Sequence, residues 1–124
     1  MDGIISHSRK EVEMVYVSQY SVYPDCGFVI TEYESNGTMR LDIKSLDEGP
    51  IVTCSVNIRN SPCLEDQIIV KDYSENRGTY DWLEYSGFIK RKIGMVRVGD
   101  YAVCPHVLLN MEKINQHLLE GGTR

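Results

Sequence analysis

The hydrophobic positions change period along the chain. From Val12 to Tyr23 the run is rich in Val, Tyr and Ser, with Val12, Met14 and Tyr16 on one face of an extended chain and Val15 and Val17 on the other, which predicts a strand. Residues 1–10 are polar and aperiodic and read as a frayed terminus with His7 in solvent. Pro24-Asp25-Cys26-Gly27 reads as a turn. Phe28 to Ser45 then predicts a hairpin turning through Ser35-Asn36-Gly37. A two-residue Asn-Gly loop would pair Glu34 with Met39 and Glu32 with Leu41, mixing charge and core on one face. A three-residue loop with Gly37 left-handed instead pairs Tyr33 with Met39, Thr31 with Leu41 and Val29 with Ile43. The outer face then holds Glu34, Glu32, Ile30 and Phe28 opposite Thr38, Arg40, Asp42 and Lys44, with Glu32 and Arg40 as a cross-strand ion pair. The bulged register is the expected one.

After the tight Leu46–Pro50 connection, Val52, Cys54, Val56 and Ile58 alternate with Thr53, Ser55 and Asn57 as one half-buried strand. Arg59-Asn60-Ser61-Pro62 ends it, and Cys63–Asp66 loops back to the strand Ile68-Ile69-Val70. There the period becomes helical. Ser74 is placed as N-cap and Glu75 in the first turn of a helix over about 75–86, stopped by Gly87, with Phe88 folding back on Trp82 or Leu83. Gly78 inside that helix costs ~1 kcal/mol against Ala, so the helix must rely on packing against the sheet. Ile93–Val98 and Tyr101–Leu108 flank Gly99-Asp100 as a second hairpin, with Pro105 suited to an edge strand or strand end. Met111, Ile114 and Leu118 behind Asn110 predict a terminal amphipathic helix over 111–120, closed by Gly121, so that 110–124 form helix and tail. The sum is one α+β domain over 1–124, a mainly antiparallel sheet of about five to seven strands with one central helix and a short C-terminal helix.

Composition narrows what such a domain does. At 124 residues the chain supports a single core. No apolar run approaches the ~18 residues that span a bilayer, and residues 1–10 lack the order of a secretory signal, so a cytoplasmic setting without a membrane partner is expected. Reducing conditions would leave Cys26, Cys54, Cys63 and Cys104 as small buried hydrophobes. Cys104 and His106 could contribute to a zinc site, but no second pair of ligands lies near in sequence, and neither metal nor cofactor is expected. A net charge of -5 argues against generic phosphate-backbone binding. One local exception is Lys90, Arg91, Lys92 and Arg97, four cations with no acid between them, either a solvated hairpin face or a contact for a partner.

The acids are clustered too. Residues 65–84 hold Glu65, Asp66, Asp72, Glu75, Asp81 and Glu84 against Lys71 and Arg77, six acids less two bases, a balance of -4. On one surface they could imitate phosphates in the basic channel of a nucleic-acid-handling protein, or simply keep the domain soluble. Asp72, Glu75 and Asn76 at the strand-to-helix switch, with Asp81, Glu84, Lys90, Arg91 and Lys92, are therefore the candidate partner-binding residues. Capping explains Ser74 and Glu75, and a turn explains Asp72. Cys104 and His106, two apart on a strand, share a face near Asp100, but no oxyanion-forming glycine motif accompanies them, and no catalytic residue is assigned.

Glu48-Gly49-Pro50, Ser55-Val56-Asn57-Ile58, Val70-Lys71-Asp72-Tyr73-Ser74-Glu75-Asn76 and Gly87-Phe88-Ile89 together resemble a family of small bacterial domains of unknown function carried on phages, plasmids and conjugative elements. The match spans residues 48–104, and its Val-Lys-x-aromatic-Ser-Glu-Asn segment is the most specific part. Two features depart from it: Arg91-Lys92-Ile93-Gly94-Met95 stands where Thr-Gly-Arg is expected, and the terminal helix is longer. The resemblance transfers no functional residues; it implies a bacterial host cell and a mobile-element origin. The expectation is a non-enzymatic interaction protein that inhibits a nucleic-acid-handling host defence complex, of anti-CRISPR or anti-restriction type, by binding a host protein or ribonucleoprotein. The alternatives are an accessory binding module unrelated to defence and a small hydrolase. A homodimer could form through the terminal helix or the edge beside Pro105.

Overall fold

A computed structural model describes residues 14–119. Its elements are β1 (Tyr16–Val17), β2 (Val22–Tyr23), β3 (Cys26–Glu32), β4 (Met39–Ser45), β5 (Gly49–Thr53), β6 (Ser55–Val56), β7 (Gln67–Val70), α1 (Thr79–Tyr85), β8 (Ile89–Val98), β9 (Ala102–Leu109) and α2 (Met111–Asn115), with a 3-10 turn at Ser74–Asn76. These nine described strands form three sheets, all paired antiparallel: β1-β2, β3-β4-β5 and β6-β7-β9-β8. The α+β class with mainly antiparallel sheets is as expected, although strands and helices are more fragmented. The central positions of the core are Phe28 and Ile30 of β3, Leu41 and Ile43 of β4, Ile68 and Val70 of β7, Val107 and Leu109 of β9, Leu83 of α1 and Ile114 of α2. Among the described residues no helix is long and apolar enough to cross a membrane.

Of the predicted strand over 12–23, of which Val12 lies outside the described residues, the part from Met14 keeps its alternation, with Met14 and Tyr16 buried and Val15 and Val17 exposed, yet it is not one strand. Ser18 folds it into two: its Oγ accepts from the N–H groups of Tyr20 and Ser21, both at 3.0 Å, and β1 turns back onto β2. The serine side chain thus competes with the extended backbone. The predicted Pro24–Gly27 turn is also shorter than expected, because Cys26 and Gly27 already belong to β3.

The β3-β4 register differs from the bulged one by a single residue. Phe28 stands opposite Ile43, Ile30 opposite Leu41 and Glu32 opposite Met39, so Phe28 and Ile30 face the core rather than solvent. Arg40 lies opposite Thr31 instead of Glu32 and pairs at 3.1 Å with Asp42 on its own strand. The loop is longer than predicted: Tyr33 N–H donates to Thr38 O and Gly37 N–H to Tyr33 O. Gly37 is left-handed as expected, at φ 74°. A one-residue slip exchanges the two faces of a strand, and burial of Phe28 and Ile30, each worth ~1.5–3 kcal/mol, outweighs burying Val29, Thr31 and a polar-tipped Tyr33.

The single strand expected over residues 52–58 is divided between two sheets. β5 pairs with β4, and two residues on β6 pairs with β7. Cys54 is the crossing point: its N–H donates to Leu41 O at 2.8 Å and its carbonyl accepts from Lys71 at 2.7 Å, tying the two sheets together. β9 is an inner strand, not an edge, yet Pro105 is tolerated because it lies past the last residue of β9 that pairs with β7, His106.

Helix α1 begins four residues later than predicted. Ser74 has φ 55° and makes no cap; Gly78, at φ 101°, is the N-cap. The side chain satisfying this end comes from upstream, since Asp72 Oδ1 accepts from the N–H groups of Gly78 and Tyr80, both at 3.0 Å. Left-handed Gly78 lets the chain curl around that carboxylate, so the glycine that looked like a cost is what the helix start requires. The other end is as expected: Gly87 at φ 87°, Phe88 N–H donating to Leu83 O at 2.9 Å and the Phe88 ring 5.5 Å from Trp82.

Asn110 caps α2, accepting from Lys113 N–H at 3.2 Å. The helix ends at Asn115, not at 120. His117 O then accepts from Phe28 N–H at 2.8 Å and Leu119 N–H donates to Phe28 O at 3.0 Å, so the segment lies along β3 as a clasp. Pairing with a free strand edge outweighs extending an isolated helix by a turn. The expectations for residues 1–10, His7 and Gly121 fall outside the described residues.

Candidate functional site

The strand-to-helix switch brings Asp72, Glu75 and Asn76 close together and uses each internally. Asp72 caps α1. Asn76 is buried and donates to Thr53 O at 2.7 Å, fixing the 3-10 turn to β5. Glu75 is exposed and pairs with Lys71 at 2.9 Å, an interaction that holds its carboxyl below the usual range and lifts the Lys71 ammonium. Gln19 also donates to Ser74 O, joining the β1-β2 hairpin to this loop.

Beyond the switch, α1 turns one side outward. Leu83 and Thr79 face the core, so Asp81, Glu84 and Tyr85, spaced three and four apart, face solvent together. Tyr85 is 94% exposed, one residue past Glu84 and four past Asp81 in the helix. A nearly bare aromatic ring on a helix with two exposed acids is suited to contact with another macromolecule, since a rigid amphipathic ring supplies contact area at low entropic cost.

The basic residues lie elsewhere. Lys90, Arg91, Lys92 and Arg97 are exposed along β8. Lys92 Nζ sits 5.8 Å from the centre of the Tyr80 ring, the one close link between the strand and α1. The molecule therefore separates an acidic helix face from a basic strand.

Cys104 and His106 sit side by side in β9 but are not disposed for nucleophilic chemistry. Burial pushes the Cys104 thiol up and the His106 imidazole down, each toward its neutral form, whereas thiolate catalysis needs the reverse. The Cys104 thiol lies against the Asp72 backbone, while His106 Nε2 bonds Gln67 Oε1 at 2.9 Å. That oxygen also accepts from Leu64 N–H, so His106 is placed as the donor. Asp100 is exposed at the hairpin tip. Cys26, Cys54 and Cys104 are buried, Cys63 is half-buried, and all four are free thiols. No cluster of three or more His, Cys, Asp or Glu side chains suited to a metal occurs among the described residues.

A cleft of ≈ 400 Å³ opens on the outer side of β4 and β5, where the ladder shifts between Ile43 and Lys44. Arg40 and Asp42 meet there, Arg40 Nε reaching both carboxylate oxygens at 3.1 and 3.3 Å and a second guanidinium nitrogen reaching Thr53 Oγ1 at 3.4 Å. The two charges satisfy one another, which leaves Lys44 as the cleft's remaining charge. No protein-family model, curated protein or solved structure matches the chain.

Proposed function

We propose that this chain works by binding a macromolecular partner and carries no reaction of its own. The observation that supports this is the outward side of α1, where Asp81, Glu84 and Tyr85 stand exposed, with Glu75 exposed in the 3-10 turn before the helix. Exposed acids with a bare aromatic suit a basic surface, with the carboxylates steering the encounter and the ring supplying buried area. In the mobile-element setting that the sequence resemblance implies, a basic surface of that kind belongs to a nucleic-acid-handling host defence complex, whose channel the acids would occupy as phosphate imitators. Asp72 and Asn76 then serve as the scaffold that orients the face.

The test is capture of the host partner from lysate by the intact chain and by a variant carrying Glu75→Lys, Asp81→Lys and Glu84→Lys, with folding of both confirmed by circular dichroism. The expected outcome is a basic partner whose capture weakens with salt and is lost in the variant. Capture that survives the triple reversal overturns the acidic-face reading.

A further inference from the structure

Strand β8 is the outermost strand of its sheet, and among the described residues no strand pairs with its far side. At ten residues it is also the longest described strand. Such an edge presents a row of N–H and C=O groups that another extended polypeptide satisfies.

The two halves of β8 differ. The ladder to β9 shifts between Ile89 and Arg91 and again between Lys92 and Gly94, so the half bearing Lys90, Arg91 and Lys92 is bulged. Bulges and charge are features that protect an edge from indiscriminate pairing. From Gly94 to Val98 the register is unbroken, running from Gly94 opposite His106 to Val98 opposite Ala102. On one side of that even half, Met95 and Arg97 are exposed together with Val103 of β9, and Tyr101, 99% exposed, stands at the turn. Among the described residues no carboxylate forms an ion pair with these cations. The ion pairs of the described residues join Arg40 to Asp42 and Lys71 to Glu75, and none involves Lys90, Arg91, Lys92 or Arg97. Lys90 opens on a shallow cleft shared with Asp66 and Glu112, whereas Arg97 reaches only the Asp100 carbonyl, at 3.4 Å.

The geometry points to strand addition: β8 receives an extended acidic segment of a partner protein along Gly94–Val98, with the partner's carboxylates meeting Arg91, Lys92 and Arg97. Three observations favour that occupant. A free strand edge is matched by a polypeptide backbone and not by a sugar–phosphate one. A second copy would set four cations against four. The exposed Met95 and Val103 supply an apolar floor for alternate side chains of the added strand. This reading does not rest on the acidic face of α1, which the strand meets at Lys92 over the Tyr80 ring.

The test uses fluorescence polarisation of the full chain with a fluorescein-labelled peptide of alternating glutamate and valine, a lysine–valine counterpart, and labelled oligothymidine. The glutamate–valine peptide is expected to bind and the lysine–valine peptide not. Joint Arg91→Glu, Lys92→Glu and Arg97→Glu substitution, at exposed positions that leave the fold intact by circular dichroism, should weaken binding by about tenfold or more. Two N-methylated peptides separate strand addition from simple charge attraction. Methylation of one alternate set of amides should abolish binding, and methylation of the other set should leave it within about twofold, because only one set faces the edge. Equal behaviour of the two methylated peptides, no binding of the glutamate–valine peptide, or tighter binding of oligothymidine each overturns the proposal. So does a sedimentation result in which the chain is a dimer broken by the triple substitution, which would assign the edge to a second copy.

Discussion

The two long hairpins of this protein are built from similar material and treat their edges in opposite ways. In β3-β4, one flank is covered by β5 and the other by the clasp at His117–Leu119, which bonds both backbone groups of Phe28. In β8-β9, one flank meets β7 and the other pairs with no strand among the described residues. The residues follow suit. The covered hairpin buries Phe28, Ile30, Leu41 and Ile43, whereas the open one exposes Met95, Tyr101 and Val103. Among the described residues the fold covers one edge and leaves the other unpaired and basic, so stability is concentrated in the first hairpin.

The largest expected effect tests that division directly. Phe28→Ala should cost about 3–5 kcal/mol in urea denaturation, and Met95→Ala less than about 0.5 kcal/mol. Comparable losses at the two positions would dissolve the contrast.

Opening the covered edge should come next. A Cβ at Gly27 would lie 2.6 Å from the Leu119 side chain and 2.8 Å from His117 O, so Gly27→Ala must displace the clasp. A loss of about 2 kcal/mol is expected, with faster amide exchange along β3 as the specific sign. Unchanged exchange at Phe28 would show that the clasp contributes little.

Between the hairpins lies the start of α1, and here the structure reverses the expectation about its cap. Asp72→Ala should cost about 1–2 kcal/mol, because two backbone donors lose their acceptor, while Ser74→Ala should stay within about 0.5 kcal/mol. The reverse order would return the cap to Ser74.

The smallest effect is a pH dependence. His117 packs edge-on against Phe88 with its Nδ1 buried and unpaired, and burial together with Lys113 holds its imidazole below the ordinary value of 6.5. His106 of β9 is lowered by burial as well. The folded protein therefore resists protonation that the unfolded chain accepts, so stability is full above about pH 6.5 and declines as the pH falls through the folded values. Replacing His117 by Leu should flatten part of that decline. An equally steep decline in the variant would move the effect to His106 and the open hairpin.

Much of the local order was legible in the residues. Alternation divided Met14 and Tyr16 from Val15 and Val17, Gly37 fixed a left-handed turn position, Gly87 and Phe88 ended α1, and Asn110 began α2. Each of those features is settled within a few residues by backbone sterics or one side-chain hydrogen bond. The candidate site was legible in part. Exposure of Asp81, Glu84 and the β8 cations follows from charge, but the internal use of Asp72 and Asn76 depends on Gly78, Tyr80 and Thr53, distant in sequence.

What the sequence by itself determined is the class of fold, the antiparallel hairpins and the segregation of acids from bases, because these arise from period, turn chemistry and charge. Tertiary structure alone decided the β3-β4 register, the division of the residue 52–58 strand at Cys54, the early end of α2 and which hairpin keeps an open edge. Each of those is a competition between alternatives nearly equal locally, resolved by which side chains the shared core buries and which backbone edges find a partner.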